Sequence, residues 1–324
     1  MKSIIRIILL SVFFVMITGC SSEETNEEIR QVTNVGIGDE YIDKLSEVLG
    51  ELVEVEEESD NGSQEEETPL ISYDVIDDEL SNPILEVEDK KWEHYQQDID
   101  KHTQLWQLFA SIVPSKEREM VTGFYVFTDG VGNTLGAVEP RYENPEEWLL
   151  SLDIADSDNT KELIDTLIHE FGHLLFLNEE QVPFSEATFA DLENDQVLER
   201  LKTNCLQYFT SYGCSAPESY INQFYQRFWV EIIEEWESLD VETNEEDLDH
   251  FFTNHEDEFV TDYAATHPSE DIAESWSYFV LSYKPENETV ADEKISFFYQ
   301  YPELVELRTT LLSNLYNVLT TVHE

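Results

Sequence analysis

Two histidines and a glutamate stand at a spacing able to build a hydrolytic metal site, in the run His169-Glu170-Phe171-Gly172-His173. On a helix, residues four apart share one face a single turn apart, so both imidazoles can reach one ion. Glu170 projects about 100° round the helix from His169, beside the metal rather than onto it, where it can take a proton from bound water. Coincidence is a poor account of the run. With 8 His in 324 residues, chance supplies roughly 0.03 such matches in the chain. The stretch Leu163, Ile164, Leu167, Ile168, Phe171, Leu174, Leu175 repeats at helical spacing and is apolar enough for a buried helix. Asn159, with Glu162 three residues on, reads as its N-cap and capping box. Histidines in such a helix are costly core residues without partners, and a metal supplies the partner.

A catalytic zinc needs three protein ligands and an open fourth position. A compact motif with a third His six residues after the second is absent, because Glu179 stands there. A carboxylate farther along must serve, and the segment from Phe259 to Ser275 is the strongest candidate. It holds Tyr263, Glu270, Ala273 and Glu274. A Tyr seven residues before an acid, which is followed after two residues by Ala-Glu, resembles the second motif of the gluzincin peptidases related to anthrax lethal factor and the Pro-Pro endopeptidases. The resemblance covers the five-residue motif and this segment only, and the two stand farther apart here than in lethal factor. It implies one Zn2+ per chain held by His169, His173 and Glu270, with Glu170 and Tyr263 catalytic. Glu170 then serves as general base, Tyr263 and the zinc stabilise the oxyanion, and Glu274 hydrogen-bonds a ligand His. A blander account of Glu270 and Asp271 is an acidic helix start, where the dipole favours each by about 0.3–1 kcal/mol. Pro268 with a cap at Thr266 or Ser269 would fix that start. His255 and His267 read as isolated surface histidines.

The chain begins as an export signal. Lys2 and Arg6 precede an apolar stretch, Ile7 to Ile17, shorter than the about 20 residues a spanning helix needs. It ends in Ile17-Thr18-Gly19-Cys20, which resembles a bacterial lipobox and implies removal of residues 1–19 and lipidation of Cys20. The folded part is then held at the outer face of the cell membrane, with the lipid bilayer as partner. Cys205 and Cys214 remain as an even pair, either bonded in an oxidising setting or left as thiols. The net charge of −55 excludes nucleic acid as a partner, since phosphates would be repelled.

The elements that must position the site are legible in outline. Residues 20–82 read as an acidic disordered tether, with Glu54, Glu56, Glu57, Glu58, Asp60, Glu65, Glu66 and Glu67 as a like-charge block and a short amphipathic helix around Tyr41–Val53. A single catalytic unit is expected over 83–324. It starts with a helix over Lys91–Ile112 and continues with strands at Gly123–Thr128, Thr134–Val138 and Trp148–Ile154, around Asp129-Gly130 and Gly132-Asn133 turn signals. Helix, small sheet, then a histidine-bearing helix resembles the zincin core, in which an edge strand holds peptide substrate; Thr134–Val138 is the candidate edge. Residues 190–250 read as a helical insertion, with Trp229, Ile232, Ile233 and Trp236 on one helix face. A closing helix runs from Pro302 to Thr321. The expected fold class is α+β: a zincin-like fold with a small mixed sheet, an active-site helix and a largely helical C-terminal lobe.

These readings make an exported, lipid-anchored zinc endopeptidase the leading expectation, with a peptide or protein as substrate. A zinc-binding surface lipoprotein without turnover is the alternative, and Glu170 argues against it, since binding alone needs no base. A solute-binding lipoprotein would need two similar α/β lobes, and the chain after residue 155 is too helical for that.

Overall fold

The computed structural model describes residues 22–50, 52, 67–87, 90–130, 134–142, 144–184 and 195–321. It is an α+β protein with one five-stranded mixed sheet. The strands are β1 (Thr68–Ile76), β2 (Glu79–Leu85), β3 (Val121–Thr128), β4 (Gly136–Arg141) and β5 (Asn144–Asp153). Their order across the sheet is β2-β1-β3-β5-β4. Only β3 and β5 run parallel. These two are central and read as apolar runs, Phe124-Tyr125-Val126-Phe127 and Trp148-Leu149-Leu150, the pattern of strands covered on both sides. The chain reaches the outer edge in β4 and returns through β5, so β4, which takes in part of the candidate edge Thr134–Val138, is an edge strand.

Between the strands, α2 (Glu93–Gln96) and α3 (Ile99–Ile112) precede β3. Trp106 and Phe109 of α3 are buried, and the Trp106 ring lies 5.9 Å from that of Phe124. After β5 comes α4 (Thr160–Leu177), opened by the Asn159 side chain, which accepts from the Lys161 N–H. Then follow α5 (Asp195–Asn204), a small hairpin of β6 (Phe209–Thr210) and β7 (Gly213–Cys214), α6 (Tyr220–Phe228), α7 (Ile233–Trp236) and α8 (Glu245–Asn254). The chain ends in α9 (Pro268–Leu281), α10 (Val290–Phe298) and α11 (Pro302–Thr321). Trp276 of α9 is the hub of this part, with ring centroids 6.2 Å from Phe171, 5.5 Å from Phe176 and 5.6 Å from Phe298. It locks α4, α9 and α10 together through a fully buried aromatic cluster. No helix among the described residues is long and apolar enough to cross a membrane.

The expected tether over 20–82 and the boundary at 83 are corrected. Residues 22–49 form α1 (Ser22–Leu49), far longer than the segment expected around Tyr41. It lies along α11, with Ile42 and Leu45 buried three residues apart on its inner face. β1 also falls inside that stretch, and β2 crosses its end. Leu70, Ile71 and Tyr73 are buried, beside the acidic Asp74, Asp77 and Asp78. Asp77 and Asp78 have φ of 53° and 66°, the left-handed pair of a tight hairpin, which Asp tolerates better than most residues. The acidic positions 54–66, the 131–133 turn signal and Cys20 lie outside the described residues.

Two helix expectations are also corrected. The span 91–112 divides into α2 and α3, because Asp98 leaves the helix to accept from the Lys101 N–H and so starts a new one. Trp229, Ile232, Ile233 and Trp236 do not share one helix: α6 ends at Phe228, and a turn precedes α7. Trp229 is pulled into the core instead, donating from Nε1 to Asp271 Oδ2 at 2.7 Å. Lys294 Nζ forms an ion pair with the same carboxylate oxygen at 2.7 Å and lies 3.8 Å from the Phe259 ring centroid.

Candidate metal centre

Helix α4 is buried nearly all round, and its polar residues His169, Glu170 and His173 are each under a tenth exposed. Such burial needs compensation, and α9 supplies it. The two helices approach closely at Gly172, where an added Cβ would stand 3.0 Å from Trp276 Cδ1 and 3.3 Å from Ala273 Cα. That contact sets the acids of α9 against the imidazoles of α4. His169 Nε2 lies 3.0 Å from His173 Nε2 and 3.2 Å from Glu270 Oε2, and His173 Nε2 lies 3.1 Å from the same oxygen.

These three atoms fit a metal ion. His169 Nδ1 meets Glu274 Oε1 at 2.6 Å, which assigns the ring proton to Nδ1 and leaves Nε2 as an acceptor. Two imidazole nitrogens and a carboxylate oxygen then converge, and a proton can serve only one pair of them. A cation serves all three. An ion with bonds of about 2.0–2.1 Å and tetrahedral angles spaces its ligand atoms roughly 3.3 Å apart, close to the separations here. His173 Nδ1 is buried without a hydrogen-bond partner among the described residues. The group His169, His173 and Glu270 is thus a buried set able to bind one metal ion.

The charges agree with this geometry. Burial works against a charged His169, but its hydrogen bonds to Glu270 and Glu274 outweigh it and raise its pKa well above the usual range, so a proton on Nε2 is what a bound cation would displace. Burial likewise works against the Glu270 and Glu274 anions, and the histidines more than reverse it, holding both acids down. Glu274 also accepts from Thr261 Oγ1 at 2.8 Å, and that hydroxyl in turn accepts from the Ala264 N–H. Glu170 stands apart from the three. Burial raises its pKa, with His169, His173 and the Val138 N–H of β4 restraining the rise. Gly136 lets β4 come this near α4, since a Cβ there would meet Thr166 Cγ2 at 2.7 Å.

A cleft of about 180 Å³ opens here, walled by Val138 and Gly136 of β4, by Glu170 and His173, and by Glu270, Tyr263 and Tyr212. A larger hollow of about 310 Å³ on the sheet around Tyr125 and Arg141 holds none of the converging groups, so chemistry rather than size identifies the site. Tyr263 lies in a short 3-10 turn, its ring 6.0 Å from that of His169 and half exposed at the cleft mouth. The enclosed hydroxyl end, facing Glu270 and Glu170, keeps its phenol protonated well past its usual range.

Three side chains were not anticipated. His267, expected as an isolated surface residue, caps α9 instead of Thr266 or Ser269: its Nδ1 accepts from the Ser269 N–H at 3.1 Å. Burial pushes its pKa down to about 4, so the ring stays neutral and keeps that acceptor. His255 lies away from the cleft, bonded to Glu258 and Glu235. Tyr208 and Tyr212 reach the site from the β6–β7 hairpin, with Tyr208 Oη 3.4 Å from His267 Nε2. That hairpin is closed by a disulfide between Cys205 and Cys214. The bracketing cysteines were the only sequence signal for it. No known protein family, curated protein or solved structure matches this chain.

Proposed function

We propose that this protein is a zinc-dependent endopeptidase of the zincin type. The observation that carries the reading is the position of Glu170: beside the three converging ligand atoms, not among them, and against the edge strand β4. A binding site without turnover has no use for a buried carboxylate there. His169, His173 and Glu270 hold the zinc; when bound, it supplies Lewis acidity and lowers the pKa of a water towards about 7. Glu170 accepts the proton of the attacking water and returns it to the leaving amide nitrogen. Tyr263 donates its hydroxyl to the oxyanion that develops on the carbonyl. β4 binds the substrate backbone by strand addition, which orients the scissile bond over Glu170. Glu274 keeps the proton of His169 on Nδ1 and so keeps Nε2 available. The N-terminal signal and Cys20 support export and lipid anchoring, so the reading puts the reaction at the outer face of the membrane.

Glu170→Gln tests this directly. The variant is expected to bind close to one zinc per chain, melt as wild type and cleave no peptide from a library that wild type cleaves in a chelator-sensitive way. Wild-type cleavage by the variant would sink the mechanism.

A further inference from the structure

A second acidic group lies ahead of α4, away from the histidines. Asp129 follows β3, Asp153 ends β5, and Asp156 stands in the loop leading to α4. The parallel pairing of β3 with β5 brings these chain ends together, with Phe127 in register with Asp153. One carboxylate oxygen from each of the three lies within 4.8 Å of the other two.

Backbone donors hold the group in shape. Asp153 accepts from the Asp129 N–H at 2.9 Å and the Ala155 N–H at 2.6 Å. Asp129 Oδ2 accepts from the Thr134 N–H at 3.1 Å. Its other oxygen, Oδ1, has no hydrogen-bond partner among the described residues, although Asp129 is only 5 % exposed. A buried carboxylate oxygen without a donor is costly, and its neighbours in the group are acids too. The Lys101 ammonium does not answer it, being held by Ser157 O and Asp158 Oδ1. Burial, with Asp156 adding to it, pushes the Asp153 carboxyl up to about 7. Asp129 also faces Glu67, whose carboxyl is raised by burial first and by Asp129 next.

We propose that Asp129, Asp153 and Asp156 form a calcium site that ties the ends of β3 and β5 to the loop entering α4. The donors are oxygen only, which suits a hard cation and not zinc. Ca2+ takes 6–8 oxygens at about 2.3–2.6 Å, so oxygens that all lie within 4.8 Å of one another can share one such ion. Mg2+ demands a tighter octahedron and keeps most of its water. From the cap at Asn159 to His169 is about 15 Å of helix rise, so this site is separate from the histidine centre. Its part is positional: it fixes where α4 begins and hence where the imidazoles lie. With three protein carboxylates, the affinity belongs in the weak range, with a Kd of about 10⁻⁴–10⁻³ M.

Equilibrium dialysis of the full-length protein against radiolabelled Ca2+, in physiological KCl with excess Mg2+, tests the site. A surface this acidic binds calcium loosely everywhere, so the reading is the difference between wild type and Asp129→Asn or Asp156→Asn. Asp129→Asn is isosteric, and its amide oxygen can still accept from Thr134; Asp156 is half-buried. Wild type is expected to bind one calcium more than either variant. Its melting temperature should rise by about 5 °C or more at saturating calcium, and that rise should vanish in both variants. Equal calcium binding by all three proteins would overturn the site. So would a wild-type melting temperature that responds to calcium no more than to magnesium.

Discussion

Glu270 and Glu274 stand one turn apart on the same face of α9, yet they meet opposite sides of His169. Glu270 faces the two Nε2 atoms, while Glu274 accepts a hydrogen bond from Nδ1 and is itself steadied by Thr261. Removing them should therefore have different consequences. Glu270→Ala is expected to lose most of its zinc and all activity. Glu274→Ala should weaken zinc binding by roughly 10–100-fold but retain turnover when zinc is in excess. Thr261→Val should move affinity the same way by less, since it strips one donor from Glu274 and leaves the histidine bond in place. Metal content and zinc titrations on the three variants check the order. A zinc-replete Glu270→Ala beside a stripped Glu274→Ala would reverse the two roles. That Glu274 would hydrogen-bond one of the two histidines was an expectation from the resemblance, and its contact with His169 is present. The Thr261 link was not, because it joins a loop to a helix through a hydroxyl that carries no pattern of its own.

At the scale of elements, the site exists because α4 and α9 touch, and Gly172 is where they do. Two effects oppose each other in Gly172→Ala. Helix propensity favours Ala over Gly by about 1 kcal/mol. Against this, the new methyl sits 3.0 Å from Trp276 and 3.3 Å from backbone at Ala273, and such overpacking costs about 1–3 kcal/mol. Trp276 is hemmed in by Phe171, Phe176 and Phe298, so it cannot yield cheaply. Crowding should win: Gly172→Ala is expected to be modestly destabilised, and Gly172→Val strongly so. Both should bind zinc more weakly although every ligand is intact, because α9 carries Glu270 away as it shifts. Denaturant melts with zinc titrations test this, and a stabilised Gly172→Ala with unchanged zinc affinity would refute the close contact. The β6–β7 hairpin makes the complementary point. Its two-residue strands are too short for a periodicity signal, so only its cysteines hinted at it.

Across the whole molecule, α1 belongs to the folded body. Arg308 of α11 is fully buried, donating to Phe279 O and Ser282 O at 2.7 Å each, and it reaches Asp39 of α1 at 3.3 Å. Gly38 lets α1 pass over that guanidinium, since a Cβ there would fall 2.3 Å from Arg308 Nη1, whereas Gly36 has open space. Gly36→Ala is thus expected to gain up to about 1 kcal/mol from helix propensity, and Gly38→Val to lose stability. Thermal melts of the two decide whether α1 is docked: if it were a free tether, neither would change the melting temperature of the core. Net charge acts at the same scale. At −55 the folded chain repels itself. Raising NaCl from about 0.02 M to about 0.5 M shortens the screening length several-fold and should raise the melting temperature, as calorimetry at constant pH would record. A flat response would mean that the carboxylates are already neutralised locally.

What the sequence determined by itself was whatever is local in the chain. The spacing of His169, Glu170 and His173, the cap at Asn159 and the limits of α11 depend on neighbours a turn away, so period and capping chemistry reveal them. Only the tertiary structure decided what depends on partners distant along the chain. The acidic charge of residues 22–82 hid an apolar face three residues in period and a strand pair, because the gain from covering them against α11 and β3 is invisible before those partners are in place. The convergence of Asp129, Asp153 and Asp156 follows from the parallel register of two strands, and no spacing in one dimension encodes it.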